Sequence, residues 1–227
     1  MDKARNIYER FATKSKVVLL TLVFFLFWVP AIIFLKLAGE VAENEPLAID
    51  MQILQWIHAH ATHVLDVFFL IVTTSGNVEV LLPITVIVSG YILYKKQYLN
   101  ALIILFGVGG AAAANVVLKL LFHRDRPGFW HSLIVETGYS FPSGHAMLSS
   151  ALVLSIIFIT WRTRWRWRTI TVGAMAIALI GLSRLYMGVH YPTDIVAGWS
   201  VSLAWVFVVF MVASSSLPRR IIRKKSI

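Results

Sequence analysis

The sequence predicts an all-α integral membrane bundle of six transmembrane helices, with both termini cytoplasmic and an interfacial helical segment between the first two spans. Three observations lead there. Apolar residues exceed what one soluble core can bury, with 58% hydrophobic, 14% charged and a mean hydropathy of +0.76. Six stretches approach the ~20 apolar residues that a hydrocarbon core of about 30 Å requires. Basic residues segregate to one side of those stretches, as cytoplasmic loops do. The composition also excludes disorder, and the absence of cysteine excludes disulfides, thiolate metal sites, iron–sulfur clusters and cysteine nucleophiles.

The predicted spans are Val17 to Leu37, Val78 to Tyr94, Leu99 to Phe122, His145 to Trp161, Arg168 to Met187 and Pro192 to Ser214. The first is too long for a cleaved signal peptide, and no small-residue cleavage site precedes the acidic stretch Glu40 to Glu45. Between the first two spans, Ile49, Ile53, Trp56 and Ile57 recur at helical spacing against Asp50, Gln52 and Gln55, which reads as a helix in the interface plane with its apolar face in lipid. Val64 to Thr74 is too short to cross alone and reads as an interfacial or buried segment. No repeat or linker divides the chain, so residues 1–227 form a single polytopic domain.

Charge tests the count. Lys3, Arg5, Arg10, Lys14 and Lys16, the pair Lys95 and Lys96, Arg162, Arg164, Arg166 and Arg168, and Arg219, Arg220, Arg223, Lys224 and Lys225 all fall on the cytoplasmic side, 16 of the 21 basic residues. A seventh span would put the Arg162 to Arg168 run outside. The net charge of +10 therefore reflects topology and attraction to anionic lipid heads rather than nucleic-acid binding. Trp161, Trp165 and Trp167 among those arginines suit an interfacial aromatic belt.

The other five basic residues, Lys36, Lys119, Arg124, Arg126 and Arg184, raise the question of what they contact, because charges near a bilayer are costly, and all but Lys36 cluster. Lys119 ends the third span, and Arg126 follows seven residues later, directly before Pro127. Proline disfavours helix at the residue before it, which leaves the guanidinium on an external loop. An ammonium and a planar guanidinium together suit a phosphate or another anion, although a snorkelling lysine beside a positive loop has the same composition. Pro142-Ser143-Gly144-His145 opens the fourth span. Ser143 is an N-cap, Gly144 admits a ligand to the backbone, and a helix N-terminus attracts anions. His145 is not needed for capping and suits a general acid. The third string runs from Ser183-Arg184 through His190 to Asp194. With Pro192 in the first turn of the sixth span, Asp194 could fix the tautomer of His190 and leave its other nitrogen free to attack. All three strings emerge on the external side, so the cations, a helix start and two histidines surround one point. Such a point could bind a tetrahedral oxyanion and pass its phosphoryl group to histidine.

The strings K-x6-R-P at Lys119 to Pro127, P-S-G-H at Pro142 to His145 and S-R-x5-H-x3-D at Ser183 to Asp194 resemble the signature of the type 2 phosphatidic acid phosphatase superfamily. That resemblance implies a multi-pass lipid phosphatase of the cell inner (plasma) membrane with an extracytoplasmic site. Its substrate would be a membrane lipid phosphate or pyrophosphate: phosphatidylglycerophosphate, phosphatidic acid or undecaprenyl pyrophosphate. It implies His190 as the nucleophile forming a phosphohistidine, Asp194 as its orienting partner and His145 as the acid on the leaving group. Lys119, Arg126, Ser143, Gly144 and Arg184 would hold the phosphate oxygens. No metal and no other cofactor is implied.

Other polar residues read more plainly. His58, His60 and His63 invite a metal reading but fit the polar face of a helix better. Arg124, Asp125 and Glu136 lie in the loop of the site, where they could shape headgroup choice but read more readily as solvated loop charges, and Asn115 reads as an interhelical hydrogen bond. A lipid phosphotransferase using the same residues and an anion transporter stay open as alternatives. The second would need polar residues continuing to the cytoplasm, where the helices are mostly apolar.

Overall fold

The computed structural model describes residues 17–43, 47–128, 130 and 132–215, and among these the secondary structure is helical. Eight helices follow in order: α1 Val17–Ala42, α2 Ala48–Ala59, α3 His63–Ser75, α4 Val78–Tyr94, α5 Tyr98–Phe122, α6 Gly144–Thr160, α7 Arg166–Tyr186 and α8 Pro192–Ser215. Each of the six predicted spans is thus a helix, with ends shifted by a few residues. Four of them, α1, α5, α7 and α8, are long and apolar enough to cross a bilayer, while α4 and α6 have 17 residues each. The helix α3 joins α4 through a 47° bend at Gly76-Asn77, so the segment read as interfacial or buried is the first half of a broken apolar pair. The basic residues of both termini and Glu45 lie outside the described residues.

The core sits where α5, α6 and α8 pack together, with Ile104, Val108 and Ala111 meeting Ala151, Leu152 and Val206. With no hydrophobic drive between helices in lipid, close backbone approach has to supply the attraction. Gly107 and Gly110 provide it on α5. A Cβ at Gly107 would lie 2.5 Å from Ser155 Oγ, and one at Gly110 would strike the Trp205 ring at 2.2 Å. Trp205 then donates its indole N–H to Phe106 O at 2.9 Å. Outward faces remain apolar: Leu105, Phe106, Leu120 and Val172 are all exposed, as lipid contact demands.

The interfacial helix α2 departs from expectation. Its outward residues include Ile49 and Trp56, but Asp50 is fully buried together with Leu54 against α7 and α8. Of the residues that read as water-facing, Asp50 is turned into the protein, while Gln52 and Gln55 remain exposed. One end of the bundle gathers Leu99, Asn100, Trp161, Arg162, Ala213 and Ser214 around a shared cavity, and the site residues lie at the other.

Candidate active site

Three chain reversals build the site. The first is the exit from α5. Lys119 lies in its last turn, and His123 adopts a left-handed conformation (φ 46°) whose N–H caps Lys119 O at 3.2 Å. The helix therefore stops before Pro127 can force it to, and Arg124 and Arg126 follow on a loop. The second is the entry to α6. Ser143 Oγ accepts the Ala146 N–H at 3.5 Å, while Asn115 donates from Nδ2 to Pro142 O at 2.9 Å and pins the turn to α5. Asn115 thus makes the interhelical bond expected of it. The third joins α7 to α8. Gly188 takes φ +68°, with Trp130 packed where a Cβ would be, and turns the chain so that His190 points inward ahead of α8.

At α8 the carboxylate of Asp194 does two jobs. Its Oδ2 accepts the Tyr191 N–H at 2.9 Å, half of a capping box, and lies 3.2 Å from His190 Nδ1. That contact makes Nδ1 the protonated nitrogen and leaves the lone pair on Nε2, which faces Arg126 Nη1 at 3.3 Å. His190 is 1% exposed. Burial, reinforced by Arg184, Arg126 and Lys119, holds its imidazole well below the ordinary histidine range, so the ring is neutral at pH 7.

The cations are arranged around that nitrogen. Arg126 is fixed by backbone carbonyls, donating Nη1 to Val189 O and Nε to Gly138 O, each at 3.0 Å. Arg184 is fully buried, and it donates Nη1 to Thr73 Oγ1 at 2.6 Å and Nη2 to Glu136 Oε1 at 2.5 Å. Its Nε has no acceptor among the described residues. Lys119 lies within electrostatic reach of Arg126, Glu136, Asp194 and Arg184. Across the cavity His145 Nε2 donates to Asn77 Oδ1 at 2.7 Å. Asn77 occupies the N-cap position of α4, yet its side chain makes no cap there and holds the histidine instead. A cavity of about 410 Å³ lined by Asn77, Glu79, Asn115, Glu136, Gly144 and His145 opens beside this group.

Sequence reasoning gave Asp50 and Asn77 no part in the site, and for Arg124 and Glu136 it favoured solvated loop charges over a part in headgroup choice. Arg124 is no solvated loop charge: at 10% side-chain exposure it bridges Asp194 and Asp50. Asp50 belongs to the site, and Asn77 orients His145. Glu136 lies against two of the three cations, 3.6 Å from Arg126 Nη2 in addition to Arg184. Burial alone would raise its carboxyl, but Arg184 and then Arg126 outweigh that and hold it below the ordinary carboxylate range. Glu136 is thus an anion already seated among these cations. Removing it should tighten binding of inorganic phosphate. Glu136→Ala is expected to lower the phosphate inhibition constant roughly tenfold, the equivalent of one charge-assisted hydrogen bond. An unchanged or higher constant would show that Glu136 does not compete for these cations.

The three predicted strings therefore meet. By contrast, His58, His60 and His63 diverge: His58 stacks on Trp130 at 4.3 Å, His60 bonds Trp56 O and His63 begins α3.

Comparison with known proteins gives a consistent picture. The model of the PAP2 superfamily matches residues 100–216. Phosphatidylglycerophosphatase B of Bacillus subtilis is 32% identical over 144 residues, 61% of this chain and 70% of the relative. Undecaprenyl-diphosphatase of Sulfolobus acidocaldarius is 22% identical over 188 residues, 79% of this chain and 87% of the relative. The crystal structure of the transmembrane PAP2-type phosphatidylglycerolphosphate phosphatase from Bacillus subtilis superposes with a TM-score of 0.74 at 28% identity, covering 84% of this chain and 98% of that one.

Proposed function

The chain belongs to the PAP2 superfamily and is a lipid-phosphate phosphatase of it, and we propose that it works through a phosphohistidine at His190 without a metal. The substrate class is a phospholipid monophosphate or a polyprenyl pyrophosphate, in keeping with phosphatidylglycerophosphate, phosphatidic acid and undecaprenyl pyrophosphate as candidates. The observation that carries the reading is the hydrogen-bonded His190–Asp194 pair whose Nε2 faces Arg126, with the buried Arg184 and the partly buried Lys119 within electrostatic reach.

In this mechanism the phosphate displaces Glu136 and is held by Lys119, Arg126, Arg184 and the Ser143-Gly144 turn. The orphaned Nε–H of Arg184 gains an acceptor, which offsets the cost of burying it unpaired. Nε2 of His190 attacks phosphorus, and the bond from phosphorus to the leaving oxygen breaks with its electron pair. Nδ1–H stays on the ring against Asp194, and His145 supplies the proton to the leaving oxygen. Water then attacks phosphorus and returns one proton to His145, and the bond from phosphorus to Nε2 breaks with its electron pair going back to the ring, which releases inorganic phosphate and restores the neutral His190 imidazole. The fixed cations stabilise the equatorial oxygens in both steps, the charge neutralisation that a metal would otherwise give.

We read the six predicted spans as crossings, with both termini on the side of the Arg162–Arg168 turn and the site on the extracytoplasmic face. The basic turn lies at the opposite end from the site, as loop charge asymmetry requires. The bilayer itself then presents the substrate.

Purified protein should release phosphate from detergent-dispersed lipid phosphates in the presence of a chelator. Loss of activity there, restored by a divalent ion, would sink the metal-free mechanism. His145→Ala separates its own role: it should slow lipid substrates about 10²- to 10⁴-fold and an activated aryl phosphate far less, because a good leaving group needs no proton. Equal losses on both would make His145 structural.

A further inference from the structure

Asp50 is fully buried although it lies on α2, outside the three motif strings. Its Oδ1 accepts the Thr193 N–H at 3.0 Å, and its Oδ2 accepts the Thr193 hydroxyl at 2.6 Å and Arg124 Nη2 at 3.0 Å. Arg124 Nη1 then reaches Asp194 Oδ1 at 2.6 Å, and Asp194 Oδ2 reaches His190 Nδ1 at 3.2 Å. The guanidinium is held in plane by the Tyr191 ring, 3.9 Å below it. Carboxylate, guanidinium, carboxylate and imidazole thus form one continuous chain with no loose member.

We propose that Asp50 is a positioning residue for the nucleophile, acting through Arg124 to seat Asp194 against His190. The inference rests on the phosphohistidine reading given above. Geometry supplies the first reason. Arg124 offers two nitrogens, one to each carboxylate, so that its orientation toward Asp194 is fixed by what Asp50 does at the other. Charge supplies the second. With His190 neutral, Asp50, Arg124 and Asp194 together carry one negative charge. When Nε2 bonds to phosphorus and the leaving oxygen departs with its electron pair, the ring keeps Nδ1–H and becomes cationic. The chain of four is then neutral. Without the Asp50 charge it would be neutral at rest and positive in the intermediate, in a buried place where an unbalanced charge is expensive. A merely structural carboxylate would hold α2 to α8 through Thr193 and would have no use for Arg124.

Asp50→Asn is expected to lower kcat on lipid phosphate roughly 10- to 100-fold, the range for a group that orients a reacting one. The inhibition constant for inorganic phosphate should stay within about twofold, since Lys119, Arg126 and Arg184 are untouched. Arg124→Lys, which keeps the charge but reaches only one carboxylate, should show the same split. A parent-like kcat in Asp50→Asn would overturn the proposal, as would parallel loss of kcat and phosphate binding. If Asp50→Asn does not fold, Arg124→Lys decides alone, and a parent-like kcat there overturns the proposal. His190→Ala measured alongside separates the two readings. If it turns over normally, the phosphohistidine fails. If it is dead while Asp50→Asn is parent-like, only the role of Asp50 fails.

Discussion

His190→Ala is expected to lower turnover by about 10⁴-fold or more, about 5 kcal/mol of transition-state stabilisation, and to abolish any trapped acid-labile phosphoenzyme. The size follows from what the substitution leaves behind. Lys119, Arg126 and Arg184 would still bind and polarise a phosphate, so the variant keeps ground-state affinity and loses the covalent step. KM should change little while kcat collapses. The fold should survive, since the ring bonds Asp194 and Arg126 and both keep other partners in Tyr191 N–H, Arg124 and the loop carbonyls. The pH dependence is a second readout. Burial and the surrounding cations keep His190 neutral well below the ordinary histidine value of 6.5, so protonation removes the nucleophile only under more acidic conditions. Phosphoenzyme formation from an activated aryl phosphate should therefore persist as the pH falls through 6.5. An acid limb centred there, or unchanged labelling in His190→Ala, would rule out this histidine as the buried nucleophile.

The residues to which we assign the chemistry were legible in the sequence as candidates, and those that contact them were not, for a physical reason. Lys119, Ser143, Gly144, His145, Arg184, His190 and Asp194 stand at or beside helix ends and Arg126 just before Pro127, where caps and prolines announce a reversal, and the ionisable ones among them are costly residues for a bilayer. The helices themselves followed from apolar length, and α4 runs over the predicted Val78 to Tyr94. Asp50 was hidden because amphipathic reasoning assigns the polar side of an interfacial helix to water. Here Asp50 turns from that side into a polar site, while Gln52 and Gln55 stay exposed along with Ile49 and Trp56. Arg124 and Glu136 lie on a 21-residue loop, 123–143, with no period to read, and their partners Asp50, Asp194 and Arg184 are 48 to 74 residues away in sequence. Asn77 could have been suspected from Ser-Gly-Asn before an apolar run, but that pattern predicts an N-cap, and the fold spends the side chain on His145 instead.

Arg184→Gln is expected to cost about 10³-fold or more in kcat/KM, the scale seen when a guanidinium is withdrawn from a transferring phosphoryl group. Three features make this residue the costliest of the cations to lose. It is fully buried, so its charge acts through little solvent. It joins α7 to α3 through Thr73 and to the 123–143 loop through Glu136, and so ties three segments of the site together. Its Nε is an unpaired buried donor, which the bound phosphate would satisfy and glutamine cannot replace. Glutamine can still bond Thr73 or Glu136, so the helices should stay packed and the loss should appear in turnover and phosphate affinity together. That pattern is the opposite of the split expected for Asp50→Asn, where kcat alone falls. Arg184→Lys should rescue only part of the activity, because a single ammonium cannot serve Thr73, Glu136 and a phosphate oxygen from one point. Parent-like phosphate inhibition in folded Arg184→Gln would remove Arg184 from the anion site and reduce the cradle to Lys119 and Arg126.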